Sequence, residues 1–199
     1  LFSRVGIIGA GSVGQNIARM VSSKGLDVVL LDLNQEKIDQ AFADMAKELD
    51  RMIARWGMTN SEKLGILSRI KGTVDYSSFK GCDIVIEAIK SSSRDRTHDE
   101  RSEILKRIEM NVDRNTIIAT NSSTHVITEL STDLTYKDRC LSFHFLTPEA
   151  DARVVEIVKG LYTSQVAYEN TIKFANLIGK KVIPVKESPG IISTRLFVP

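Results

Sequence analysis

The sequence predicts an α/β fold built on a mostly parallel, doubly wound sheet, and two observations lead to this prediction. First, short apolar runs alternate with longer segments whose apolar residues recur every three or four positions, the patterns of buried strands and amphipathic helices. Second, the apolar runs are continuous rather than alternating, as in strands that helices cover on both faces. Alternating strand and helix patterns of this kind predict crossover connections between parallel strands.

The individual elements follow from these patterns in chain order. Strands are expected at residues 4–8, 28–31, 70–74, 83–88, 116–120, 139–145, 153–159 and 181–186. Helices are expected from the glycine-rich turn at 9–14 to residue 24, and at 35–55, 61–69, 96–110, 124–130 and 164–178. The helices at 35–55 and 61–69 flank a break at 57–60, so they predict a helical hairpin inserted into the alternating pattern.

The composition is that of a globular domain and argues against several classes of partner. The chain has 199 residues, of which 42% are hydrophobic and 26% charged, and its net charge is only +2; a nucleic-acid partner is therefore not expected. Apolar runs stay shorter than the roughly 18 residues of a membrane span, so a membrane partner is not expected either. The two cysteines, Cys82 and Cys140, form no CxxC motif or metal-ligand cluster, which argues against a metal site and favours a reducing, cytoplasmic location.

A glycine motif follows the first predicted strand directly. In Gly-x-Gly-x-x-Gly, Gly9 permits a tight turn, Gly11 lets the backbone approach a pyrophosphate, and Gly14 lets helix and strand pack closely. Asp32 ends the second strand 18 residues after Gly14, where a carboxylate accepts hydrogen bonds from ribose hydroxyls and repels a 2′-phosphate. No arginine follows at 33–34 to bind such a phosphate. The set predicts a Rossmann-type dinucleotide site that prefers NAD to NADP.

Further polar residues are expected near strand ends, and their spacing leaves two readings open for each. Asn121 and Ser123 follow the strand at 116–120, where they are either ligand-binding residues or a helix cap, and spacing alone favours the cap. Glu156 lies within an apolar strand and needs a partner. His144, on the neighbouring apolar strand, is the expected one, and together they form either a general base with its orienting carboxylate or a structural pair.

Two other groups are interpreted as surface residues from spacing alone. Arg51 and Arg55 are four residues apart on one helix face and could bind phosphates, although a solvated face is the better reading. His98 and His125 lie in polar stretches and are expected on the surface.

Taken together, these motifs resemble those of the NAD-binding domain of the L-3-hydroxyacyl-CoA dehydrogenases. The resemblance runs almost from end to end of the chain. It is carried by VGIIGAGSVGQNIA, the helical hairpin, IEAI (86–89), IATNSS (118–123), SFHFLTP (142–148), VEIVK (155–159), GKKVIP (179–184) and SPGIISTRL (188–196). It implies residues 1–187 as an NAD-binding domain and 188–199 as a linker and the start of a helical C-terminal domain, which in this family makes much of a homodimer interface.

The resemblance also implies an activity and assigns roles to individual residues. The activity is the reversible oxidation of a 3-hydroxyacyl-CoA to a 3-ketoacyl-CoA by NAD. His144 would be the general base, Glu156 would orient it, and Ser123 would hydrogen-bond the substrate oxygen. Arg51 and Arg55 become candidates for binding phosphates of coenzyme A. The residues expected at the cofactor are Gly9, Gly11, Ser12, Val13, Gly14, Asp32, Ala88 and Asn121.

The chain departs from the family pattern at three places, and these motivate two alternative functions. Thr147 and Thr194 stand where the family usually has asparagine, and Lys90 and Ser91 follow the IEAI segment where an acid is usual. The first alternative is a dehydrogenase of a free 3-hydroxy acid. The second is an NAD-binding protein that has lost catalysis.

Overall fold

The strands of the described residues form one sheet. The computed structural model describes residues 2–90, 94–146 and 153–187. The strands are β1 (Arg4–Ile8), β2 (Asp27–Leu31), β3 (Ile70–Thr73), β4 (Ile84–Glu87), β5 (Ile117–Thr120), β6 (Cys140–Phe145), β7 (Val154–Lys159) and β8 (Lys181–Lys186). Their order across the sheet is β3-β2-β1-β4-β5-β6-β7-β8. The strands from β1 to β6 pair in parallel, β7 runs antiparallel to β6, and β8 is parallel to β7. The predicted mostly parallel, doubly wound fold is confirmed.

Helices cover both faces of the sheet. They are α1 (Ser12–Ser23), α2 (Gln35–Trp56), α3 (Asn60–Ser68), α4 (Arg94–Glu109), α5 (Ile127–Leu130) and α6 (Gln165–Leu177), with 3₁₀ turns at Tyr76–Phe79 and Lys137–Arg139. Alternate side chains of each strand enter opposite cores: Val5 and Ile7 pack with α1, α2 and α6, while Ile8 packs with α4 and α5. In the described part of the chain, none of the helices is long and apolar enough to span a membrane.

The predicted helical hairpin is present as α2 and α3, and local capping explains where its helices begin and end. The Asn34 side chain accepts a hydrogen bond from the amide of Lys37 at the start of α2. Gly57 ends that helix in the left-handed conformation, with φ 71°. Thr59 and Glu62 then form a reciprocal capping box that starts α3. The break expected at 57–60 is thus a turn with its own capping residues.

One helix is shorter than the sequence indicates. Residues 124–130 were expected to be helical, but α5 begins only at Ile127. The reason is local: the Ser122 hydroxyl accepts hydrogen bonds from the backbone amides of Thr124 and His125. A serine that bonds the following amides offers the backbone an alternative to the helix.

Candidate active site

A cavity of about 780 Å³ opens at the carboxyl ends of the parallel strands. Ligands of doubly wound sheets bind at this edge. Its walls come from the glycine turn, the ends of β2, β4 and β5, and facing residues of α2 and α4. Of the residues expected at the cofactor, those that line it are Gly9, Gly11, Ser12, Val13, Asp32, Ala88 and Asn121.

The glycine turn has the geometry that the motif predicts. Gly9 has φ 104°, and a Cβ there would lie 2.7 Å from the carbonyl oxygen of Ala88. A Cβ on Gly14 would overlap the carbonyl oxygen of Gly9, so helix and strand pack too closely for any side chain. A Cβ on Gly11 would instead point into open space. Gly11 is also the N-cap of α1 and offers no capping side chain, which leaves first-turn N–H groups of the helix available to an anion.

Asp32 lies at the end of β2 with its carboxylate already oriented. Its Oδ2 accepts a hydrogen bond from the amide of Ala10 at 2.8 Å, and its Oδ1 accepts one from Leu33 at 2.6 Å. Lys37 Nζ lies 3.8 Å from Oδ1. A carboxylate has about four acceptor positions, so Asp32 retains capacity for ribose hydroxyls. The open position at Gly11 and this carboxylate fit a dinucleotide.

His144 and Glu156 are directly opposite each other on the antiparallel strands β6 and β7. Nδ1 of His144 is 3.2 Å from Oε2 of Glu156, and the carboxylate is almost fully buried while the imidazole remains slightly accessible. Burial lowers the pKa of His144 from its ordinary value, and the hydrogen bond and charge of Glu156 oppose that shift. The predicted contact is confirmed, whereas a catalytic role for the pair stays a prediction.

Asn121 connects this pair to the cavity. Its Oδ1 accepts a hydrogen bond from the backbone amide of Phe145 at 3.0 Å, and the backbone amide of Asn121 donates to the backbone carbonyl of Glu87 at 2.8 Å. The end of β5 is therefore fixed between the ends of β4 and β6, beside His144. Ser123, half-buried, follows in the same turn. Asn121, Ser123 and His144 thus lie at one edge of the sheet.

The two arginines of the hairpin lie elsewhere. Arg51 and Arg55 are exposed on α2, and Arg51 bonds Glu48 at 3.2 Å. The cavity lining, as far as the described residues define it, includes neither of them.

The expectation that His125 is a surface residue is wrong. It is buried and its Nδ1 lies 2.9 Å from a guanidinium nitrogen of Arg101, which in turn pairs with the fully buried Glu87. The sequence held one signal for this group, because Glu87 ends an apolar strand and, like Glu156, needs a partner there. His98 is half-buried, with its ring 5.7 Å from that of His125.

The remaining expected features divide between the described and the undescribed parts of the chain. Lys90 is exposed at the cavity, whereas Ser91, Thr147, Thr194 and the expected linker at 188–199 lie outside the described residues. Both cysteines are buried, and burial raises the pKa of Cys82 to about 11 and that of Cys140 to about 12. A raised pKa leaves little of either thiol as the reactive thiolate at neutral pH.

Comparison with known proteins gives a consistent result. Residues 4–188 match the family described as 3-hydroxyacyl-CoA dehydrogenase, NAD binding domain. The chain is 33% identical over 193 residues to a fatty acid oxidation complex subunit alpha from Psychrobacter sp. (strain PRwf-1), covering 97% of this chain and 26% of that protein. It is 30% identical over 196 residues to a 3-hydroxybutyryl-CoA dehydrogenase from Clostridioides difficile, covering 98% of this chain and 68% of that protein.

A solved structure shows the same likeness. The (S)-3-hydroxybutyryl-CoA dehydrogenase from Ralstonia eutropha superimposes with a TM-score of 0.91 and is 36% identical, covering 98% of this chain and 68% of that one. The chain therefore spans about a quarter of the first relative and about two thirds of the other two.

Proposed function

This chain belongs to the family of 3-hydroxyacyl-CoA dehydrogenase NAD-binding domains, and we propose that the protein containing it interconverts a 3-hydroxyacyl-CoA and a 3-ketoacyl-CoA with NAD. One observation carries the proposal: the buried His144–Glu156 pair lies beside Asn121, which lines the cavity. A base and its orienting carboxylate are thereby adjacent to the place where a nicotinamide would lie.

The residues that would bind the cofactor have a geometry that fits NAD. The N–H groups at the start of α1, together with the open position at Gly11, would hold the pyrophosphate, and Asp32 would hold the adenosine ribose. Asn121 and Ala88 would border the nicotinamide end of the cavity. NAD supplies the hydride acceptor when it is bound. The carboxylate of Asp32 would repel the negative charge of a 2′-phosphate, which favours NAD over NADP.

The proton is handled by the histidine pair. Because Nδ1 of His144 faces Glu156, Nε2 is the nitrogen available to take the hydroxyl proton of the substrate. Glu156 fixes the tautomer and stabilises the imidazolium that results. Ser123 would hydrogen-bond the substrate oxygen and hold it near Nε2. In the reverse direction His144 returns the same proton.

Several features of the whole protein belong to the same proposal. Arg51 and Arg55 are exposed cations on the hairpin and would contact phosphates of coenzyme A. We place residues 1–187 in the NAD-binding domain and 188–199 in a linker that leads into a helical domain, through which the protein forms a homodimer. A cytoplasmic location suits the two free thiols.

The test is an assay on the full-length protein. NADH and acetoacetyl-CoA are mixed with it and the loss of NADH absorbance is followed, with NADPH and free acetoacetate as controls. Rapid loss with NADH and the CoA ester alone is expected. His144→Asn should abolish it, while the matched variant His98→Asn, on α4, should not. Turnover of free acetoacetate alone would favour the free-acid alternative, and tight NADH binding without turnover of either would refute the proposed activity.

A further inference from the structure

A buried polar cluster joins the ends of β4 and β5 to α4. Its members are Glu87, Arg101, Thr120, Ser122 and His125, each 8% exposed or less. We call it the Arg101 cluster. A buried ion pair is weak evidence for a stabilising role, and the contacts of this pair point to another role.

Arg101 donates in three directions from one guanidinium. Its Nε lies 3.2 and 3.3 Å from the two carboxylate oxygens of Glu87, and one terminal nitrogen donates to the carbonyl of Ile89 at 3.1 Å. The other terminal nitrogen is 2.9 Å from Nδ1 of His125. Because a guanidinium is only a donor, Nδ1 is the acceptor of this hydrogen bond.

The bonds of Glu87 extend the cluster into the backbone of two turns. Oε1 accepts from the amide of Ile89 at 2.8 Å and Oε2 accepts from the hydroxyl of Thr120 at 2.6 Å. That hydroxyl accepts from the amide of Ser122 at 3.1 Å. The Ser122 hydroxyl accepts from the amide of His125, also at 3.1 Å. The turns at 88–90 and 121–125 are thus held through side chains that never reach the cavity.

Those two turns are the walls of one end of the cavity. Ala88, Ile89 and Lys90 line it after β4 and Asn121 lines it after β5, whereas Asp32 follows β2, on the far side of β1 in the strand order. We propose that Arg101 and His125 are positioning residues, which set the separation of the two turns and so fix the nicotinamide against Asn121 and Ser123. This inference rests on the proposed function for the identity of the ligand.

Arg139 provides a matched comparison within the same chain. It is as buried as Arg101 and also pairs with a carboxylate, Glu109, at 3.5 Å. It also bonds backbone carbonyls, donating to Asp113 and Thr116. It precedes β6, so it lies at the amino edge of the parallel strands, away from the cavity. If a loss of binding came only from changing a buried arginine, variants of Arg101 and of Arg139 would both show it.

The experiment measures binding of two probes to the full-length protein and its variants: NADH, and ADP-ribose, which lacks the nicotinamide. His125→Leu removes the acceptor for Arg101 but keeps the Glu87 ion pair, and His125→Asn restores an acceptor near the position of Nδ1. Arg101→Lys and Arg139→Lys form the matched pair, because an ammonium cannot bridge three partners as a guanidinium does. Melting temperatures record the purely structural effect of each change.

We expect His125→Leu and Arg101→Lys to weaken NADH binding about tenfold, the equivalent of one charge-assisted hydrogen bond, with ADP-ribose affinity unchanged. His125→Asn should recover most of the NADH affinity. Arg139→Lys should lower the melting temperature but leave both affinities unchanged. Equal losses for NADH and ADP-ribose, or unchanged NADH affinity in both cluster variants, would overturn the inference. The affinity ratio remains informative if the wild type turns over no acyl-CoA, so the two proposals fail separately.

Discussion

Replacing Glu156 by glutamine should lower both kcat and the pKa of His144. The variant keeps the size of the side chain and a hydrogen-bonding group, but it removes the negative charge 3.2 Å from Nδ1. Glu156 is almost fully buried and His144 is only 13% exposed. The charge therefore acts through a medium that screens less than bulk water does.

The magnitude follows from Coulomb's law. Two unit charges about 4 Å apart interact by about 4 kcal/mol at an effective dielectric constant of about 20. If the transition state has developed roughly half of the imidazolium charge, removing Glu156 costs about 2 kcal/mol, or about thirtyfold in kcat. Loss of the preferred tautomer would add to this.

The pKa of His144 determines the direction in which the pH profile of the variant should move. Burial lowers the pKa of His144 and Glu156 raises it, so Glu156→Gln should lower that pKa further. In the proposed mechanism, reduction of a 3-ketoacyl-CoA needs protonated His144, so the alkaline limb of its pH profile should move to lower pH. Oxidation needs neutral His144, so its acidic limb should also move to lower pH, under a lower plateau.

The assay is the pH profile of kcat in both directions, measured on the full-length protein with acetoacetyl-CoA and with 3-hydroxybutyryl-CoA. The matched control is Glu109→Gln, which removes the charge of a carboxylate paired with Arg139 at the other edge of the sheet. An unmoved alkaline limb, or a limb displaced to higher pH, would refute the assigned role of Glu156.

Three further outcomes are expected. Gly14→Ala should lower the melting temperature and abolish NADH binding, because its Cβ would overlap a backbone carbonyl. Gly11→Ala places its Cβ in open space, so it should weaken NADH binding without a change in melting temperature. Equal decreases in the melting temperature of the two variants would contradict this. Asp32→Asn should weaken NADH binding about tenfold or more, since it removes a charged acceptor, and should raise the affinity ratio of NADPH to NADH; an unchanged ratio counts against its role in selectivity. Arg51→Glu combined with Arg55→Glu should raise KM for acetoacetyl-CoA and leave that for NADH unaltered. A parallel rise for both would exclude a specific contact of these residues with the phosphates of coenzyme A.

Features that depend on neighbours in the sequence were predictable from it. The bounds of β1 (Arg4–Ile8) and β8 (Lys181–Lys186) agree with the expected ones, because each is a short β-rich run bounded by polar residues or glycine. The contact of His144 with Glu156 joins two strands, yet it too was predictable, since a carboxylate within an apolar strand needs a partner and the neighbouring apolar strand offers this histidine.

Features that depend on distant partners were not. His125 lies in a polar stretch, and nothing local distinguishes it from a surface residue. It is buried because Arg101, 24 positions earlier on another element, supplies its hydrogen bond. The late start of α5 has a local cause instead, the hydrogen bonds that the amides of Thr124 and His125 donate to the hydroxyl of Ser122.

The hydrogen bonds of Asp32 bear on how the cofactor site is prepared before any ligand arrives. Two backbone amides, those of Ala10 and Leu33, already hold its carboxylate. Immobilising a side chain at binding costs about 0.5–1.5 kcal/mol. Because the Asp32 side chain is already immobilised in the folded protein, little of that cost falls on binding. The rate of NAD capture at the ribose end should therefore be set by diffusion and desolvation rather than by side-chain rearrangement.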